Sequence, residues 1–357
     1  MSKPRLIAFY LPQFYPTKEN DEWWQKGFTE WTNVGSAKPL FRGHDQPRVP
    51  ADLGYYDLRL PEIREQQVEL AREAGIEGFC YWHYWFAGRR LLDRVFSEVV
   101  ESGKPDFPFC LCWANHSWYQ KTWDPTKPDK LLIEQTYPGE EDYIAHFKAM
   151  LPAFKDKRYM KVNGKLIFGI YSPLDVPNFN EMKTIWNRLA NENGLDGFYF
   201  FGFTYSHKEI APLFDRKYDS VVLDNIKYTS DVNNGLRVVW GRFKRKLFKI
   251  PLQLRYDDYM KKVLQLYKPQ DNIHPCILPN FDHSPRSKGR GIILVGHSPR
   301  KWKKLCVELF NKVKGKKDNL VFLKAWNEWG EGNYMEPDMT FGKGFVEATR
   351  DALNSID

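Results

Sequence analysis

Short, almost wholly apolar runs alternate with helical stretches along the whole chain, and this alternation limits the possible folds more than any other feature. Nearly every residue of each run is apolar, which is typical of a β-strand that is covered on both faces. We predict eight such strands, at Leu6–Tyr10, Gly78–Trp82, Phe109–Trp113, Leu166–Tyr171, Phe198–Phe203, Ser220–Leu223, Cys276–Pro279 and Leu320–Ala325.

The segments between the strands carry the sequence signals of helices. Pro61 suits a first helical position, and Gly75 and Gly194 follow helical runs at the usual stop position. Helices are predicted at Pro61–Ala74, Leu91–Ser102, Glu141–Phe154, Asn180–Asn193, Tyr256–Tyr267, Pro299–Val313 and Gly344–Asn354.

Eight strands with intervening helices predict an α/β protein with a (β/α)8 TIM barrel. We expect a single domain over residues 1–357 with extended loops after the strands, and a basic insertion at about 227–255. A doubly wound open sheet would usually bind its ligand at one switch point, beside a glycine-rich phosphate turn. The sequence contains no such turn.

In a barrel of this kind the catalytic groups lie at the C-terminal ends of the strands. The stretch "LKAWNEWGEGNYMEPD" (323–338) begins at the end of the last strand and contains Glu328 and Glu331. Glycoside hydrolysis uses two carboxyl groups, one protonated and one ionised. Nearby tryptophans and the closeness of two negative charges would raise one pKa, and Gly330 and Gly332 would allow a sharp turn. The alternative is that both glutamates are solvated loop residues.

Aromatic and polar residues also follow the other strands, including "HYWF" (83–86) after the second, and 16% of the residues are aromatic. Flat apolar faces beside polar groups are typical of a ligand cleft. For His83 and His116 the alternative to substrate binding is a structural role. For Asp282 the alternative is a local ion pair with Arg286. The predicted substrate-binding residues are Tyr10, Gln13, Trp31, His83, Tyr84, Trp113, Asn115, His116, Trp118, Asp282, Asn327, Trp329 and Glu336.

The sequence predicts neither a metal site nor a cofactor. The histidines have no ligand spacing such as HExxH, and the five cysteines are odd in number without a CxxC pair. The N-terminus lacks a long apolar segment with a cleavage site, so we expect no signal peptide and a cytoplasmic location.

The formal net charge of +8 comes largely from two basic runs, residues 237–251 and 311–319. The first run, "RVVWGRFKRKLFKIP", interleaves basic with large apolar residues, which favours a basic helix with a solvated face, packed on the barrel rim. The alternative is peripheral contact with an anionic membrane at the inner leaflet. Neither run has a nucleic-acid-binding motif, so nucleic acid is not an expected partner.

Several motifs resemble the WbsX-type proteins of bacterial polysaccharide gene clusters, a glycoside hydrolase family 99-like group. They are "AFYLPQFYPTKENDEWWQKGFTEWTNV", "GFCYWHYWF", "PFCLCWAN", "LIEQTY" and "AWNEWGEGNYMEPD". The resemblance implies a (β/α)8 barrel acting on oligosaccharide or polysaccharide. It also implies that Glu328 deprotonates the 2-hydroxyl of an α-mannoside-like sugar, which attacks the anomeric carbon, while Glu331 protonates the leaving oxygen.

The sequence differs from this family at two strand ends. His116 stands where the family has an acidic residue, and "NFDHSPR" replaces a Trp-Asp-Asn version. These differences bear on substrate identity rather than on the paired glutamates. A retaining hydrolase is therefore the leading interpretation, with a glycosyltransferase or transglycosylase of O-antigen or capsule synthesis, or a non-catalytic glycan-binding barrel, as alternatives.

Overall fold

The computed structural model describes residues 3–121, 128–231 and 235–356. Eight strands in one sheet pair in chain order, and the first also pairs with the second, so the sheet closes into a parallel barrel. The predicted (β/α)8 fold is confirmed. The barrel strands are β1 Arg5–Tyr10, β2 Gly78–Phe86, β3 Phe109–Trp113, β4 Lys165–Ile170, β5 Phe198–Thr204, β6 Ser220–Asp224, β7 Ile273–Ile277 and β8 Leu320–Leu323.

Helices and short strands occupy the connections between the barrel strands. The helices are Lys18–Trp23, Glu30–Gly35, Pro61–Ala74, Arg94–Ser102, Glu140–Phe154, Phe179–Glu192, Ile210–Asp215, Gly235–Phe248, Tyr256–Leu266, Ser284–Ser287, Pro299–Val313 and Gly344–Asn354. The short strands are Arg89–Leu91, Trp118–Gln120, Lys130–Ile133, Lys161–Val162, Leu252–Arg255, Ile292–Val295, Asn327–Glu328 and Asn333–Tyr334. Among the residues that the structure describes, no helix is both long and apolar enough to cross a membrane.

Two predicted boundaries near β2 were wrong. The "HYWF" segment, predicted to be a loop, continues β2, because Tyr84 and Trp85 pair in antiparallel register with Leu91 and Arg90. For the same reason the helix predicted to begin at Leu91 begins at Arg94. The strand β7 runs over Ile273–Ile277 rather than the predicted Cys276–Pro279. The prediction missed its first three residues because they include a polar residue and a proline.

The chain divides into two compact units, which are described separately. The first contains Met1–Glu77 and Asp224–Asp357, and its last two long helices are joined by a hydrogen bond of 2.8 Å from Trp302 Nε1 to Thr349 Oγ1. The second contains Gly78–Leu223 and has an aromatic core around Trp186. The expectation of a single domain over 1–357 stays a prediction.

The helix Pro61–Ala74 shows how local sequence fixes an element. Pro61 is its first residue, and Gly75 caps the end with φ +78°, donating its backbone N–H toward Ala71 and Arg72. A Cβ at Gly75 would lie 2.5 Å from Leu353 Cδ1. Glycine is therefore required there for both the left-handed backbone and the close approach of the last helix.

We predict that Gly75→Ala lowers the free energy of unfolding by about 2 kcal/mol or more, because the left-handed backbone costs roughly 1–2 kcal/mol for an L-residue and Leu353 must also move. Gly194→Ala is the matched control, since Gly194 has φ +76° with nothing within 4 Å. Urea unfolding midpoints measure both variants. Equal losses would show that the Leu353 contact has no cost.

Candidate active site

Glu328 and Glu331 lie on one tight hairpin just after β8. The strand Asn327–Glu328 pairs in antiparallel register with Asn333–Tyr334, so Glu328 is opposite Asn333. A single 3-10 turn, Trp329–Glu331, connects the two strands. The local sequence therefore holds both carboxyl-bearing residues within one turn of backbone.

The two glycines of this hairpin have different tasks. Gly332 has φ +51°, and a Cβ there would lie 2.7 Å from Asp282 Cβ. At Gly330 the backbone has no positive φ, but a Cβ would collide with the Glu30 carboxylate. Gly332 thus supplies the turn that the sequence predicted, and Gly330 instead makes room for an acidic side chain from the loop after β1.

Basic groups surround the Glu331 carboxylate. Arg286 Nη1 donates to Oε1 at 2.6 Å, Lys324 Nζ lies 3.8 Å from Oε2, and His283 Nε2 lies 3.9 Å from Oε1. Burial by itself raises the pKa of Glu331, but the charges of Lys324 and Arg286 outweigh it and lower that pKa to about 2. Glu331 is therefore ionised near neutral pH.

The Glu328 side chain is buried, and its interaction with Glu331 adds to the lowering of the pKa of Glu331 after the charges of Lys324, Arg286 and His283. The expectation that neighbouring negative charge and tryptophans raise one pKa does not apply to Glu331. That expectation left out Lys324, which lies in the same stretch of sequence, and Arg286, which is 45 residues away.

Arg286 joins Glu331 to the loop after β1. Its Nε donates to Glu30 Oε2 at 3.0 Å while its Nη1 donates to Glu331. The alternative of a local ion pair between Asp282 and Arg286 is wrong. Asp282 Oδ2 instead contacts His44 Nε2 at 2.8 Å and Gln46 Nε2 at 2.7 Å.

Asp282 is fully buried and serves as an anchor for the loop after β7. Its Oδ1 accepts a hydrogen bond from the backbone N–H of Ser284 at 2.9 Å. Burial raises its pKa, but the hydrogen bond with His44 and the charge of Arg48 lower it far more. In this structure the polar atoms of Asp282 are already engaged by protein groups.

Glu336 fixes the position of the Trp329 side chain by a hydrogen bond. Its Oε2 accepts from Trp329 Nε1 at 2.6 Å and from Tyr56 Oη at 2.9 Å, and its Oε1 accepts from Gln67 Nε2 at 2.6 Å. Burial raises the pKa of Glu336 to about 7. The Trp329 ring, only 1% exposed, also stacks on Tyr334 with a centroid distance of 3.7 Å.

Tyr10 and Asn327 extend the same buried network. Tyr10 Oη donates to Gln67 Oε1 at 2.7 Å. Asn327 fixes the backbone of Leu11 twice, accepting its N–H at 2.7 Å and donating to its carbonyl at 3.1 Å. Both residues were predicted to bind substrate, and in this structure their polar groups bind protein.

Trp31 and Gln13 are the other predicted contacts in the first unit, and both are half-buried. Trp31 Nε1 donates to the carbonyl of Tyr56 at 2.7 Å, and its ring lies 5.5 Å from that of Trp329. Trp31 is thus a partly exposed ring next to the buried Trp329. Of the candidates in this unit, Trp31, Gln13 and Glu331 are the ones that retain exposure.

In the second unit, His83 and Trp113 are core residues. His83 Nε2 lies 2.8 Å from His146 Nε2, and burial, followed by the charge of Arg90, lowers the pKa of His83 to about 3. Trp113 is fully buried, and its Nε1 donates to the carbonyl of Trp85 at 3.1 Å. A neutral, paired histidine of this kind corresponds to the structural alternative.

The other candidates of the second unit differ in exposure. Asn115 is buried, accepting from the Ser172 backbone N–H at 2.8 Å and donating to Tyr137 Oη at 2.8 Å. Tyr84 is buried against the half-buried Trp118, with ring centroids 5.1 Å apart. His116 is exposed, with its ring 5.5 Å from Tyr171. Trp118 and His116 are thus the accessible candidates of this unit.

Sequence reasoning missed two charged residues at strand ends. Asp224 is the last residue of β6 and Lys324 follows the last residue of β8, and both are buried. The signal was present, because the barrel rule marks these positions and Lys324 lies in the quoted stretch 323–338.

Within residues 3–121, 128–231 and 235–356, no group of three or more His, Cys, Asp or Glu side chains is arranged to hold a metal ion. All five cysteines are buried free thiols.

The fold and the hairpin define a (β/α)8 barrel with two glutamates just after the C-terminal end of its last strand. Residues 6–349 match the family described as "Glycosyltransferase WbsX", and the chain belongs to that family. It is 36% identical over 355 residues to the protein WxcX of Xanthomonas campestris pv. campestris strain B100, and 34% identical to WxcX of strain ATCC 33913. These matches cover 98% of this chain and 49% of each relative, so the chain spans about half their length.

Two solved structures are similar in fold. A glycoside hydrolase-like protein has a TM-score of 0.61 and 12% identity, covering 99% of this chain and 94% of the other. A GH99 endo-α-mannosidase from Bacteroides thetaiotaomicron has a TM-score of 0.55 and 13% identity, covering 98% and 96%. At these identities the similarity establishes the barrel fold.

We predict that Glu336→Gln flattens the pH dependence of stability. Because the folded pKa of Glu336 lies above its ordinary 4.5, its contribution to stability is complete below about pH 4.5 and is lost as the pH rises through about 7. The contribution amounts to about 3 kcal/mol at most. Urea unfolding midpoints from pH 4.5 to 8 measure it.

Glu347→Gln, at an exposed glutamate of the last helix, is the control and should reproduce the wild-type pH dependence. A Glu336→Gln curve parallel to wild type would contradict the raised pKa of Glu336.

Proposed function

We propose that this chain is a carbohydrate-active enzyme, a retaining glycoside hydrolase that cleaves α-mannoside-like linkages in a bacterial cell-surface polysaccharide or its precursor. The observation that carries the proposal is the placement of Glu328 and Glu331 within one turn of backbone on the hairpin after β8. The family resemblance supports retention.

The proposed chemistry needs one proton acceptor and one proton donor. One glutamate takes the proton of the 2-hydroxyl, whose oxygen attacks the anomeric carbon to form a 1,2-anhydro sugar, and the other gives its proton to the departing glycosidic oxygen. In the second step the former donor, now ionised, takes a proton from water as that water opens the anhydro ring. The former acceptor then returns its proton to the 2-oxygen.

The family resemblance assigns Glu328 as the base and Glu331 as the acid. The charges on the free protein favour the opposite starting arrangement, because Arg286 and Lys324 stabilise the ionised form of Glu331. For Glu331 to act as the donor, substrate binding must first weaken one of these contacts. We therefore propose that the two glutamates act as a pair. The pH dependence of turnover assigns the roles of base and acid to the individual residues.

A glycosyltransferase or transglycosylase is the second candidate, and the name of the family supports it. Both reactions can proceed through the same first step, after which an acceptor hydroxyl replaces water. Turnover in H2¹⁸O separates them, since hydrolysis places ¹⁸O on the anomeric carbon and transfer does not. A non-catalytic barrel would bind glycan and form neither product.

We predict that Glu328→Gln and Glu331→Gln each lower kcat by at least about 100-fold, as expected when a positioned acid or base is lost. The measurement is product release from the best substrate in a screen of bacterial polysaccharides, with circular dichroism to verify folding. Glu347→Gln is the matched control and should retain wild-type turnover.

A 2-deoxy substrate, which lacks the internal nucleophile, should not be cleaved. Wild-type rates in both variants would refute the catalytic pair, and rapid cleavage of the 2-deoxy substrate would refute the anhydro intermediate alone.

We further propose that residues 237–251 contact the surface of an anionic membrane. The helix Gly235–Phe248 packs on the protein through Gly241, where a Cβ would lie 2.8 Å from Leu252 Cδ1. A different face carries large apolar side chains that remain exposed, including Trp240 at 54% and Leu247 at 62%. The rings of Trp240 and Phe243 stack on each other, with centroids 5.2 Å apart.

Exposed apolar rings on a basic helix fit the headgroup region of an anionic bilayer. Lys246 and Lys249 are exposed in this segment. The side chains of Arg237, Arg242 and Lys244 lie outside the described part of the structure. The alternative, a helix packed on the rim through its apolar face, is less favoured because that face is exposed.

We predict that the protein co-sediments with phosphatidylserine-containing vesicles at low salt and less at physiological salt, and that Trp240→Ser with Phe243→Ser lowers the partition coefficient at least about tenfold. Trp24→Ser with Phe28→Ser is the matched control, since these rings also stack, 5.5 Å apart, and Trp24 is 43% exposed. Equal binding by both double variants, or no wild-type binding at low salt, would refute membrane contact.

A further inference from the structure

The carboxyl group of Asp224 is buried, and only one of its two oxygens accepts a hydrogen bond in the described structure. It is fully buried at the end of β6, where barrel enzymes place functional groups. Its Oδ1 accepts from the backbone N–H of Ile226 at 2.8 Å, whereas its Oδ2 has no hydrogen-bond partner in the described structure. A buried, unsatisfied carboxyl oxygen costs stability, so its presence calls for a functional reason.

Lys324 connects Asp224 electrostatically with the paired glutamates. Its side chain is only 8% exposed and its Nζ lies 3.8 Å from Glu331 Oε2. The same ammonium group acts on Asp224, where burial raises the pKa to about 6, the charge of Lys324 opposes that rise and Glu331 adds to it. One buried cation is thus shared between two carboxyl groups, and one of these titrates close to neutral pH.

We propose that Asp224 is a positioning residue of this site which, through Lys324, governs how readily Glu331 exchanges a proton. When Asp224 is ionised, its negative charge opposes the effect of the Lys324 charge on Glu331, and Glu331 accepts a proton more easily. When Asp224 is neutral, the charge of Lys324 is unopposed by Asp224 and holds Glu331 ionised. The inference rests on the proposed function, in which Glu331 gives or takes a proton.

Other titratable or charged groups also act on Glu331 or respond to the charge of Asp224. The groups that act on Glu331 besides Lys324 are Arg286, His283 and Glu328. The groups that sense the charge of Asp224 are Tyr259 and Cys276. Burial, followed by the Asp224 charge, raises the pKa of both Tyr259 and Cys276, so both remain neutral near pH 6. Burial lowers the pKa of His283 below its ordinary 6.5, and the charge of Glu331 opposes that change.

The test that needs no substrate is a ¹³C NMR titration of the full chain labelled at aspartate carboxyl carbons. The Asp224 signal is identified by its loss in Asp224→Asn, and its expected midpoint is near pH 6. Lys324→Met should raise that midpoint by about one pH unit or more, whereas Glu331→Gln should lower it. Opposite shifts from two variants require that the three groups be coupled.

Lys316→Met is the matched control, because Lys316 is as buried as Lys324 but donates a hydrogen bond to the carbonyl of Ile273. Ile273 is the first residue of β7, whereas Asp224 is the last residue of β6. It should leave the Asp224 midpoint in place. A midpoint near pH 4 in the wild type, or one that neither Lys324→Met nor Glu331→Gln moves, would overturn the proposal. Circular dichroism of each variant excludes unfolding as the cause of a shift.

Turnover supplies the second readout. The wild-type pH–rate profile should have an acidic limb near pH 6 that Asp224→Asn removes, with kcat reduced on the plateau and KM little changed. An unaltered limb in Asp224→Asn would overturn the proposal even if the NMR coupling were found. If no glycan is turned over at all, the proposed function fails, and the NMR titration still decides whether Asp224, Lys324 and Glu331 are coupled.

Discussion

The bridge that Arg286 forms between Glu30 and Glu331 organises the candidate site of this barrel. It draws together the loops that follow β1, β7 and β8, which are far apart in the sequence. The bridge also explains why residue 330 is glycine, since any side chain there would occupy the place of the Glu30 carboxylate. A guanidinium that bridges two carboxylates in a partly buried setting fixes their geometry and, together with Lys324, lowers the pKa of Glu331.

Most of the polar side chains around the hairpin are bonded to protein rather than left open. Glu336 fixes the Trp329 indole, Asn327 fixes the backbone of Leu11, and Asp282 is held by His44 and Gln46. Such a satisfied network holds the few exposed groups at set positions, as catalysis by positioned acids and bases requires. Glu331 and Trp31 are the members of this network that retain partial exposure.

Charge has two separate roles in this protein. At the candidate site, buried cations lie near carboxyl groups, and the pKa values of Asp224 and Glu331 move in opposite directions. On the surface, the basic run at residues 237–251 carries exposed apolar rings and has no such partners for Lys246 or Lys249 among the ion pairs of the described residues. The first arrangement suits proton transfer, and the second suits attraction to an anionic surface.

The sequence by itself determined the eight strands, seven of the helices and the position of Glu328 and Glu331 after the last strand, because hydrophobic periodicity and strand-end position are local properties. Which polar residues are open to a ligand was decided by the tertiary structure. Asp282 and Glu336 follow strands as the barrel rule requires, yet both are buried by partners up to 280 residues away. The ionisation of Glu331 depends likewise on Arg286, 45 residues distant, and a charge interaction depends on the separation of atoms in space, which spacing along the chain does not fix.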